Sequence, residues 1–370
     1  MRIAILGARG IPACYSGYDT LAEELSIGLV QAGGTDVVVY CRSGYYDTRP
    51  RSYHGVRLVH LGAPRIKGIE SLVHSLLSSI HVLGQRADVV YFVDPANAPF
   101  CFLLRVCGQR VVIHTDGLGW KRAKWGYLAR RYYKLVEWLA SRTAHALVTD
   151  NPAMEDYYQR EYGAASCYIP YGAETHHGYD AAVFTDLGLQ EASYLLVVAR
   201  LERENNTDLI IREFAHVTTA LPLVIVGDAP YDAPYLRALR STGDARVTFV
   251  GRLNDQAKLN ALYRGAVAYI HGHEVGCTNP SLLRAMHAGT APLVLDVPFN
   301  THVVGDCGFT FGKRPGALAE TLKRVLADRG ATAEVARRAR ARASRLFRWD
   351  SVVEDHRRLF AGVAARASRT

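Results

Sequence analysis

The sequence lacks the paired cysteines, long apolar runs and leader segment that would assign it to several common protein classes. Its seven cysteines are scattered and form no C-x-x-C pair, so neither a disulfide framework nor a zinc site is indicated. The most apolar stretch, 89–106, is interrupted by Asp94, two prolines and Arg105, which makes it unsuited to spanning a bilayer. Met1 leads directly into RIAILG, which leaves no room for a signal peptide. We therefore expect a cytoplasmic protein that at most rests on the inner face of a membrane.

The composition is that of a globular chain with an excess of positive charge. Hydrophobic residues make up 49% and charged residues 21% of 370 positions, a length that usually needs more than one hydrophobic core. The formal net charge of +9 indicates an anionic ligand or surface, such as a nucleotide, nucleic acid or anionic membrane. Nucleic acid is disfavoured, because no groove-reading or base-stacking motif accompanies the arginine-rich C-terminal segment.

Short apolar runs alternate with helix-period segments twice along the chain, which predicts an α/β protein with two doubly wound, Rossmann-like domains. The first series begins with RIAILG at 2–7, and the second begins with YLLVVAR at 194–200. We expect domains at 1–172 and 173–345, with a C-terminal helix at 346–370 returning towards the first domain. Ligands of such sheets bind beyond the carboxyl ends of the strands, so the predicted site is a central cleft faced by both domains.

The most informative stretch is 268–289, AYIHGHEVGCTNPSLLRAMHAG. It predicts a strand, a glycine-containing loop and a helix that opens at Asn279-Pro280-Ser281, because Asn is a good N-cap and Pro suits the first helical position. We expect unpaired N–H groups beside the Ser281 hydroxyl and a partial positive charge that favours a phosphate. Arg284, one turn further, would add a full positive charge there.

Two other strand ends carry candidate chemistry. Arg200 follows the first strand of the second half and could clamp a diphosphate through charged hydrogen bonds, with a salt bridge to Glu202 or Glu204 as the alternative. His114 and Asp116 end a strand of the first half, where they could hold or deprotonate a hydroxyl. Capping of the following turn is an equal alternative for Asp116.

The turn after the first strand contains Gly10, which could admit a ligand close to the backbone or serve only the packing of a tight turn. Arg9, Tyr15 and Tyr18 would crowd the same region. The spacing is not G-x-G-x-x-G and no acidic residue ends the second strand, so a nicotinamide cofactor is disfavoured.

Two further patterns each have a plain structural explanation beside a functional one. His271 and His273 flank Gly272 without a third ligand at metal-binding spacing, so we interpret them as hydrogen-bonded loop histidines. The stretch 121–139, KRAKWGYLARRYYKLVEWL, is basic and aromatic. A helix of that content could lie on anionic lipid or simply cover the domain surface.

Taken together and in order, six motifs give the chain a family resemblance over nearly its full length. They are GARGIPACYSGYDTLAEEL, DGLGWKRAKWG, VTDNPAMEDYY, YIPYGAE, RLERENN and HGHEVGCTNPSLLRAM. The chain resembles the retaining glycosyltransferases of family 4, which have the GT-B fold, and more narrowly their bacterial rhamnosyltransferase-like branch. The resemblance implies transfer of a hexose, L-rhamnose being one candidate, from a nucleoside-diphosphate sugar to a hydroxyl with retention. The implied acceptor is a glycan, a lipid-linked molecule or a small metabolite, and no cofactor or metal is implied.

The resemblance also implies roles for residues at matching positions. The implied catalytic residues are His114, Asp116 and Arg200. The implied donor-binding residues are Gly10, Arg200, Asn205, Thr278, Asn279, Pro280, Ser281 and Arg284. The implied acceptor-side residues are Arg9, Tyr15, Tyr18 and Trp120.

Two departures from the family pattern keep other functions open. The family's two glutamates fall at Gly276 and Arg284, and the second of them normally binds the nucleotide ribose. A carboxylate accepts hydrogen bonds from hydroxyls, whereas arginine can only donate. Glu274 is a candidate for a displaced carboxylate. A nucleotide-sugar 2-epimerase and a repurposed, non-catalytic descendant therefore remain alternatives.

Overall fold

The computed structural model describes residues 1–14, 16–64, 66, 69–115, 117–122, 126–173, 178–229 and 232–365. The chain divides into two compact units, the first formed by residues 1–171 with 349–370 and the second by residues 172–348. Each unit is a mainly parallel sheet with helices packed on it, which confirms the predicted pair of Rossmann-like α/β folds.

The first unit contains an eight-stranded sheet. Its strands are β1 (Arg2–Leu6), β2 (Asp36–Arg42), β3 (Ser52–Tyr53), β4 (Val56–Leu61), β5 (Val89–Phe92), β6 (Val111–Thr115), β7 (Ala146–Thr149) and β8 (Cys167–Tyr168). Its helices are α1 (Gly17–Gln31), α2 (Glu70–Leu83), α3 (Ala98–Val106), α4 (Tyr127–Thr143), α5 (Pro152–Tyr162) and the chain's last helix, α14 (Trp349–Ala365). The strand order is β3-β4-β2-β1-β5-β6-β7-β8, and β3 alone runs antiparallel to its neighbour.

The centre of this sheet consists of short apolar strands buried on both faces, as is usual where helices cover both sides of a parallel sheet. Ile3 of β1 pairs with Val37 of β2 on one side and with Val89 of β5 on the other. The chain therefore builds outwards from β1 in both directions, and the carboxyl end of β1 is the switch point of the sheet.

The C-terminal helix α14 packs on α1 of the first unit. A Cβ on Gly28 of α1 would lie 2.4 Å from Val353 Cγ2, so only glycine allows this close approach. His356 on α14 is fully buried. The helix thus brings a histidine from the far end of the chain into the core of the first unit.

The second unit contains a six-stranded parallel sheet. Its strands are β9 (Leu195–Val198), β10 (Leu223–Val226), β11 (Val247–Gly251), β12 (Ala268–His271), β13 (Ala291–Leu295) and β14 (Phe309–Phe311). Its helices are α6 (Ala182–Leu187), α7 (Thr207–Phe214), α8 (Ala233–Arg240), α9 (Gln256–Gly265), α10 (Pro280–Ala288), α11 (Pro298–Val304), α12 (Ala317–Ala327) and α13 (Arg329–Leu346).

The strand order of the second unit is β11-β10-β9-β12-β13-β14, which places the switch point between β9 and β12. Apolar side chains of β9, β10, β12 and β13 and of the surrounding helices form one core cluster. In open parallel sheets, ligands bind where the loops leave the switch point. Among the described residues, no helix is both long and apolar enough to cross a membrane.

Candidate active site

The loops that follow β9 and β12 are fastened to each other at the switch point of the second unit. Asn206 Nδ2 donates to the Gly272 carbonyl at 2.8 Å, and the Glu274 N–H donates to the Glu204 carbonyl at 3.0 Å. A Cβ on Gly272 would lie 2.5 Å from the Asn205 carbonyl oxygen, so only glycine permits this contact. The two loops therefore form one rigid rim at the carboxyl edge of the sheet.

Arg200 stands on this rim with its guanidinium partly exposed. Its Nη1 lies 3.6 Å from Glu202 Oε2, which is the salt bridge named above as the structural alternative. At 43% side-chain exposure the pair is loose, because water screens it and competes for its hydrogen bonds. Asn205 has a different role from the one expected, since its Nδ2 donates to the Arg200 carbonyl at 2.6 Å and so fixes the backbone. The backbone of Arg200 is therefore held in place by Asn205, while its positively charged side chain is partly exposed to solvent.

The helix α10 begins where the sequence predicts, with Asn279 as N-cap and Pro280 in the first position. The expectation of unpaired N–H groups beside Ser281 is wrong. The Ser281 N–H donates to Asn279 Oδ1 at 3.0 Å, and the Leu282 and Leu283 N–H groups donate to the Asn279 carbonyl. The N-cap that starts the helix therefore also satisfies its first-turn donors, and the helix dipole is what remains to attract an anion.

A single tyrosine connects the end of β9 to the start of α10. The Tyr269 hydroxyl lies 3.2 Å from the Val198 carbonyl and 2.8 Å from Ser281 Oγ. Ser281 Oγ in turn donates to Asn279 Oδ1 at 2.7 Å. Thr278, which precedes the N-cap, is buried. The predicted donor residues from 278 to 281 and the strand end that carries Arg200 are therefore neighbours.

Arg284 does not supply charge to the start of α10, which corrects the expectation. Its Nε donates to Asn260 Oδ1 at 2.6 Å, Nη1 to Gln256 Oε1 at 2.7 Å, and Nη2 to the Gln256 carbonyl at 2.8 Å. The guanidinium also lies over the Tyr263 ring, and burial lowers the pKa of Arg284. The side chain therefore joins α10 to α9, because all three of its nitrogens have acceptors on α9.

His271 and His273 form a stacked pair on the same rim. Their ring centroids are 4.1 Å apart, and their planes are nearly parallel at 9°. Burial lowers the pKa of His271 far below its ordinary value, and burial together with the Arg200 charge lowers the pKa of His273 to about 3. Both rings are therefore neutral at physiological pH.

The interpretation of the two rings as hydrogen-bonded histidines is only half right. His271 Nδ1 bonds to the Tyr269 hydroxyl at 3.0 Å, but His271 Nε2 and His273 Nδ1 are buried without a hydrogen-bond partner among the described residues. Within those residues, no group of three His, Cys, Asp or Glu side chains is arranged to hold a metal ion.

His114 of the first unit belongs to a buried hydrogen-bond relay. Its Nδ1 lies 3.0 Å from the Tyr91 hydroxyl, which lies 3.0 Å from His356 Nε2 on α14. His356 Nδ1 lies 2.8 Å from the Val352 carbonyl. A carbonyl can only accept, so His356 Nδ1 carries the proton, Tyr91 donates to His356 Nε2, and His114 Nδ1 donates to Tyr91.

This relay fixes the tautomer of His114. Its Nε2 is left unprotonated, and that atom is buried without a partner among the described residues. Burial, with His356 behind Tyr91, lowers the pKa of His114 to about 3, so the ring is neutral. His114 is therefore prepared to accept a hydrogen bond through Nε2. Asp116 lies outside the described residues.

The turn after β1 is shaped by packing. Gly10 has φ +128°, and a Cβ there would lie 2.6 Å from Cys41 Sγ. The Arg9 N–H donates to Asp19 Oδ1 at 2.9 Å, and its guanidinium lies 5.3 Å from the centroid of the Tyr45 ring. These contacts favour the packing explanation for Gly10 and fix the backbone of Arg9 against α1.

The remaining acceptor-side residues do not form one group. The Tyr18 ring meets His114 edge-on, with centroids 6.4 Å apart. Trp120 instead packs beside α4 and α5, where its Nε1 donates to Tyr157 Oη at 3.1 Å and Lys134 Nζ lies 4.4 Å from its ring centroid. Tyr15 lies outside the described residues.

Three residues of these arrangements were missed by sequence reasoning: Tyr91, Tyr269 and His356. Tyr91 and Tyr269 lie in apolar runs, where a tyrosine looks like ordinary core, and His356 lies between charged residues of α14, where a histidine looks like ordinary surface. Tyr91 and His356 are separated by 265 positions, so no local motif marks the pair. Tyr269 is two residues from His271, and that alternation on one face of β12 was the available signal.

Comparison with known proteins finds a family match in each half of the chain. Residues 192–328 match the family model described as glycosyl transferases group 1, and residues 1–174 match a domain of unknown function, DUF1972. O-antigen chain mannosyltransferase C of Escherichia coli is 26% identical over 73% of this chain and 73% of its own length.

Two solved structures show the same fold at low identity. Sucrose-phosphate synthase from Thermosynechococcus elongatus superposes with a TM-score of 0.83 at 20% identity, covering 99% of both chains. Anabaena Alr3699/HepE in complex with UDP-glucose gives a TM-score of 0.74 at 15% identity, covering 100% of both chains.

The two α/β units and these superpositions define the fold class: the chain has the fold of the GT-B glycosyltransferases. Within the second unit, residues 192–328 are similar to the glycosyl transferases group 1 family. The first unit has its sequence match in DUF1972, which carries no assigned function.

Proposed function

We propose that the chain transfers a hexose from a nucleoside-diphosphate sugar to a hydroxyl acceptor with retention of anomeric configuration and without a metal or other cofactor. The observation that carries this proposal is the pair of hydrogen bonds made by the Tyr269 hydroxyl. They connect Val198, at the end of β9 shortly before Arg200, to Ser281 at the start of α10, so the two lie together at the switch point. A guanidinium and the positive end of a helix dipole, side by side, suit a diphosphate.

In the proposed reaction the acceptor oxygen bonds to the anomeric carbon as the bond from that carbon to the leaving phosphate oxygen breaks. The acceptor's proton passes to the departing diphosphate, on the face from which the acceptor attacks. Negative charge grows on the diphosphate, so Arg200 and the α10 dipole stabilise the transition state more than the ground state. The chain's contribution is positioning and electrostatics.

His114 and Asp116 are the proposed residues for handling the sugar or acceptor hydroxyls. The relay through Tyr91 leaves His114 Nε2 as a hydrogen-bond acceptor, so this atom can accept a hydrogen bond from a hydroxyl of the sugar or the acceptor. Arg9, Tyr15, Tyr18 and Trp120 remain proposed for the acceptor side, and a glycan, lipid-linked molecule or small metabolite remains the proposed acceptor. The proposed location is the cytoplasm, at the inner face of the membrane.

The donor's base and sugar are proposed only by class, with L-rhamnose on TDP or UDP as one candidate. The guanidinium of Arg284 is held by Gln256 and Asn260, so the position of the family's ribose-binding glutamate holds no acceptor. Recognition of the ribose must then rest on other groups. UDP-glucose is the ligand of the Anabaena relative, which makes UDP the first nucleotide to test.

The test of this proposal is the affinity for nucleoside diphosphates measured by titration calorimetry with UDP, TDP and GDP. Charged hydrogen bonds contribute about 1.5–3 kcal/mol, so Arg200→Ala should weaken binding of the preferred nucleotide roughly 10- to 100-fold. Arg203→Ala is the matched control, because Arg203 lies on the same loop but pairs with Asp232. Equal affinity of the Arg200 variant and the control would overturn the assignment of Arg200.

A product assay then tests the reaction itself. A transferase releases nucleoside diphosphate only when an acceptor is present, and the anomeric configuration of the product reports retention. Release of nucleotide with a new free sugar in the absence of acceptor would contradict transfer and indicate epimerisation instead.

A further inference from the structure

Three neighbouring helices of the first unit turn apolar side chains towards solvent. The helix α3 contacts α2 on one side and α4 on the other. Of the fifteen large hydrophobic side chains exposed among the described residues, ten lie on these three helices. Isolated exposed apolar residues are normal on protein surfaces, but such a concentration marks a surface that has a partner. We call this surface the α2–α4 face.

The clearest stripe lies on α4. Leu128, Leu135 and Trp138 are 81%, 57% and 47% exposed. Arg131 and Arg142 are exposed between and beyond them, so that the five positions follow each other at steps of three or four residues. That spacing puts them on one side of the helix. The opposite side of α4 contains buried Val136 and Ala140.

Some aromatic side chains of the stretch 121–139 are held inside the unit and others are exposed. The Tyr132 hydroxyl donates to the Ala96 carbonyl, so this side chain is held inside the unit. Trp120, which directly precedes the stretch, is held in the same way by Tyr157. Tyr127 and Trp138 remain exposed. The outward stripe is therefore narrower than the sequence indicates, and it consists of aliphatic, aromatic and arginine side chains.

The adjacent helices extend the stripe into a face. On α3, Phe102, Leu103 and Val106 are exposed, Val106 to 71%. On α2, Leu76, Leu77 and Ile80 are exposed, and they also recur at one helical turn. Each helix therefore has an apolar stripe directed away from the core in addition to the one that packs on the sheet.

The charges on the α2–α4 face are almost all positive. The three helices contain five basic residues, namely Arg105, Arg130, Arg131, Lys134 and Arg142, and two glutamates. Lys134 pairs with Glu161 of α5 at 3.1 Å, so the arginines supply the charge of this face. Glu137 is buried and accepts hydrogen bonds from Tyr157 and Tyr162, while Glu70 accepts one from Tyr45. Neither glutamate balances the exposed arginines of α4.

We propose that the α2–α4 face docks on an anionic lipid surface. Arginines interspersed with leucine and tryptophan on one side of a helix match a bilayer interface, where apolar side chains enter the acyl boundary and cations meet phosphate headgroups. A second copy of the chain is the less suitable occupant, because a symmetric contact would bring the same positive charges together. This proposal is independent of the sugar-transfer proposal.

The test is co-sedimentation of the full chain with vesicles of phosphatidylcholine alone and of phosphatidylcholine with phosphatidylglycerol. We expect binding to the anionic vesicles that decreases as salt is added, because screening weakens the headgroup attraction. Val106→Ser with Leu128→Ser should lower partitioning roughly tenfold or more, since each buried apolar side chain contributes to interfacial binding. Arg131→Glu with Arg142→Glu should lower it by roughly fivefold per charge removed.

The matched control is Leu346→Ser with Arg345→Glu at the end of α13, where an exposed leucine and arginine lie outside the face. It should bind anionic vesicles as the natural chain does. Thermal unfolding and nucleotide titration on every variant separate loss of docking from loss of the fold or of the donor site. Two results would overturn the proposal: no binding to anionic vesicles at low salt, or a concentration-dependent dimer that only the α2–α4 variants abolish.

Discussion

His114 in the first unit and His271 in the second occupy comparable positions, each within the last two residues of a buried parallel strand. Each bonds through Nδ1 to a buried tyrosine at 3.0 Å, and each leaves a buried Nε2 without a partner among the described residues. The pKa of each is lowered by burial. Two unrelated stretches of sequence thus produce a neutral histidine whose Nδ1 is bonded to a tyrosine and whose Nε2 has no partner among the described residues.

The two arrangements differ in what lies behind the tyrosine. Tyr91 leads to His356 and then to the Val352 carbonyl of α14, a backbone acceptor that no side-chain change removes. Tyr269 leads to Ser281, whose hydroxyl donates to Asn279, and it also lies within reach of the Val198 carbonyl. The first relay is a single line through core side chains, whereas the second has two routes and ends at a helix cap.

The largest expected effect that follows from the comparison is on the pH dependence of stability. Burial lowers the pKa of His114 to about 3 and that of His356 to about 4, against an ordinary value of 6.5. Below that ordinary value the unfolded chain binds protons that the folded chain does not. The contribution of these two histidines to the free energy of unfolding is therefore complete above about pH 6.5, and it is lost as the pH falls towards their pKa values in the folded chain.

Each such histidine should contribute a slope of about 1.4 kcal/mol per pH unit over that range. We expect His356→Gln to remove the contribution of one histidine from the pH dependence of the free energy of unfolding. This is measured by urea denaturation between about pH 6 and pH 4. His216→Gln is the matched control, since His216 is exposed. A His356 variant with the slope of the natural chain would mean that His356 is not kept neutral by the fold.

Much of the fold and part of the site follow from local sequence signals. The start of α10 was predicted from Asn279 and Pro280, because an N-cap and a first-turn proline act within a few residues. Strands β1 and β9 were predicted from the short apolar runs at 2–7 and 194–200, since buried parallel strands can be recognised from their own residues alone. These are the parts of the structure that the chain encodes over short distances.

The roles of individual site residues depended on partners that local sequence does not show. Arg284 was expected beside a phosphate, but Gln256 and Asn260 on another helix accept its hydrogen bonds. Asn279 both starts the helix and satisfies the N–H groups that were expected to be free. The relay from His114 to His356 exists only because α14 returns to the first unit. A buried hydrogen bond between residues far apart in the chain leaves no repeating pattern in the sequence from which it could be predicted.

The next effect concerns removal of each tyrosine hydroxyl. Tyr91→Phe leaves His114 Nδ1 and His356 Nε2 both buried and unpaired, and each such group costs about 1–3 kcal/mol. Tyr269→Phe leaves His271 Nδ1 unpaired, while Ser281 keeps its bond to Asn279. We therefore expect the larger loss in the free energy of unfolding for Tyr91→Phe, measured by denaturant titration at neutral pH. Equal losses would contradict the difference between a single-line and a two-route relay.

The smallest effect on the free energy of unfolding is expected at the end of the second relay. This end consists of side chains and can therefore be removed by substitution. Ser281→Ala removes the hydroxyl between Tyr269 and Asn279, but Tyr269 can still donate to the Val198 carbonyl. A neutral hydrogen bond contributes about 0.5–1.5 kcal/mol, and the better helix propensity of alanine offsets part of it. We expect a loss of roughly 0.5–1 kcal/mol by the same titration. Ser281→Thr, which keeps a hydroxyl, is the matched variant and should lose less. If Ser281→Ala lowers the free energy of unfolding as much as Tyr269→Phe does, the Val198 carbonyl does not replace Ser281 as the partner of Tyr269. His114 and His271 would then each depend on a single line of hydrogen bonds.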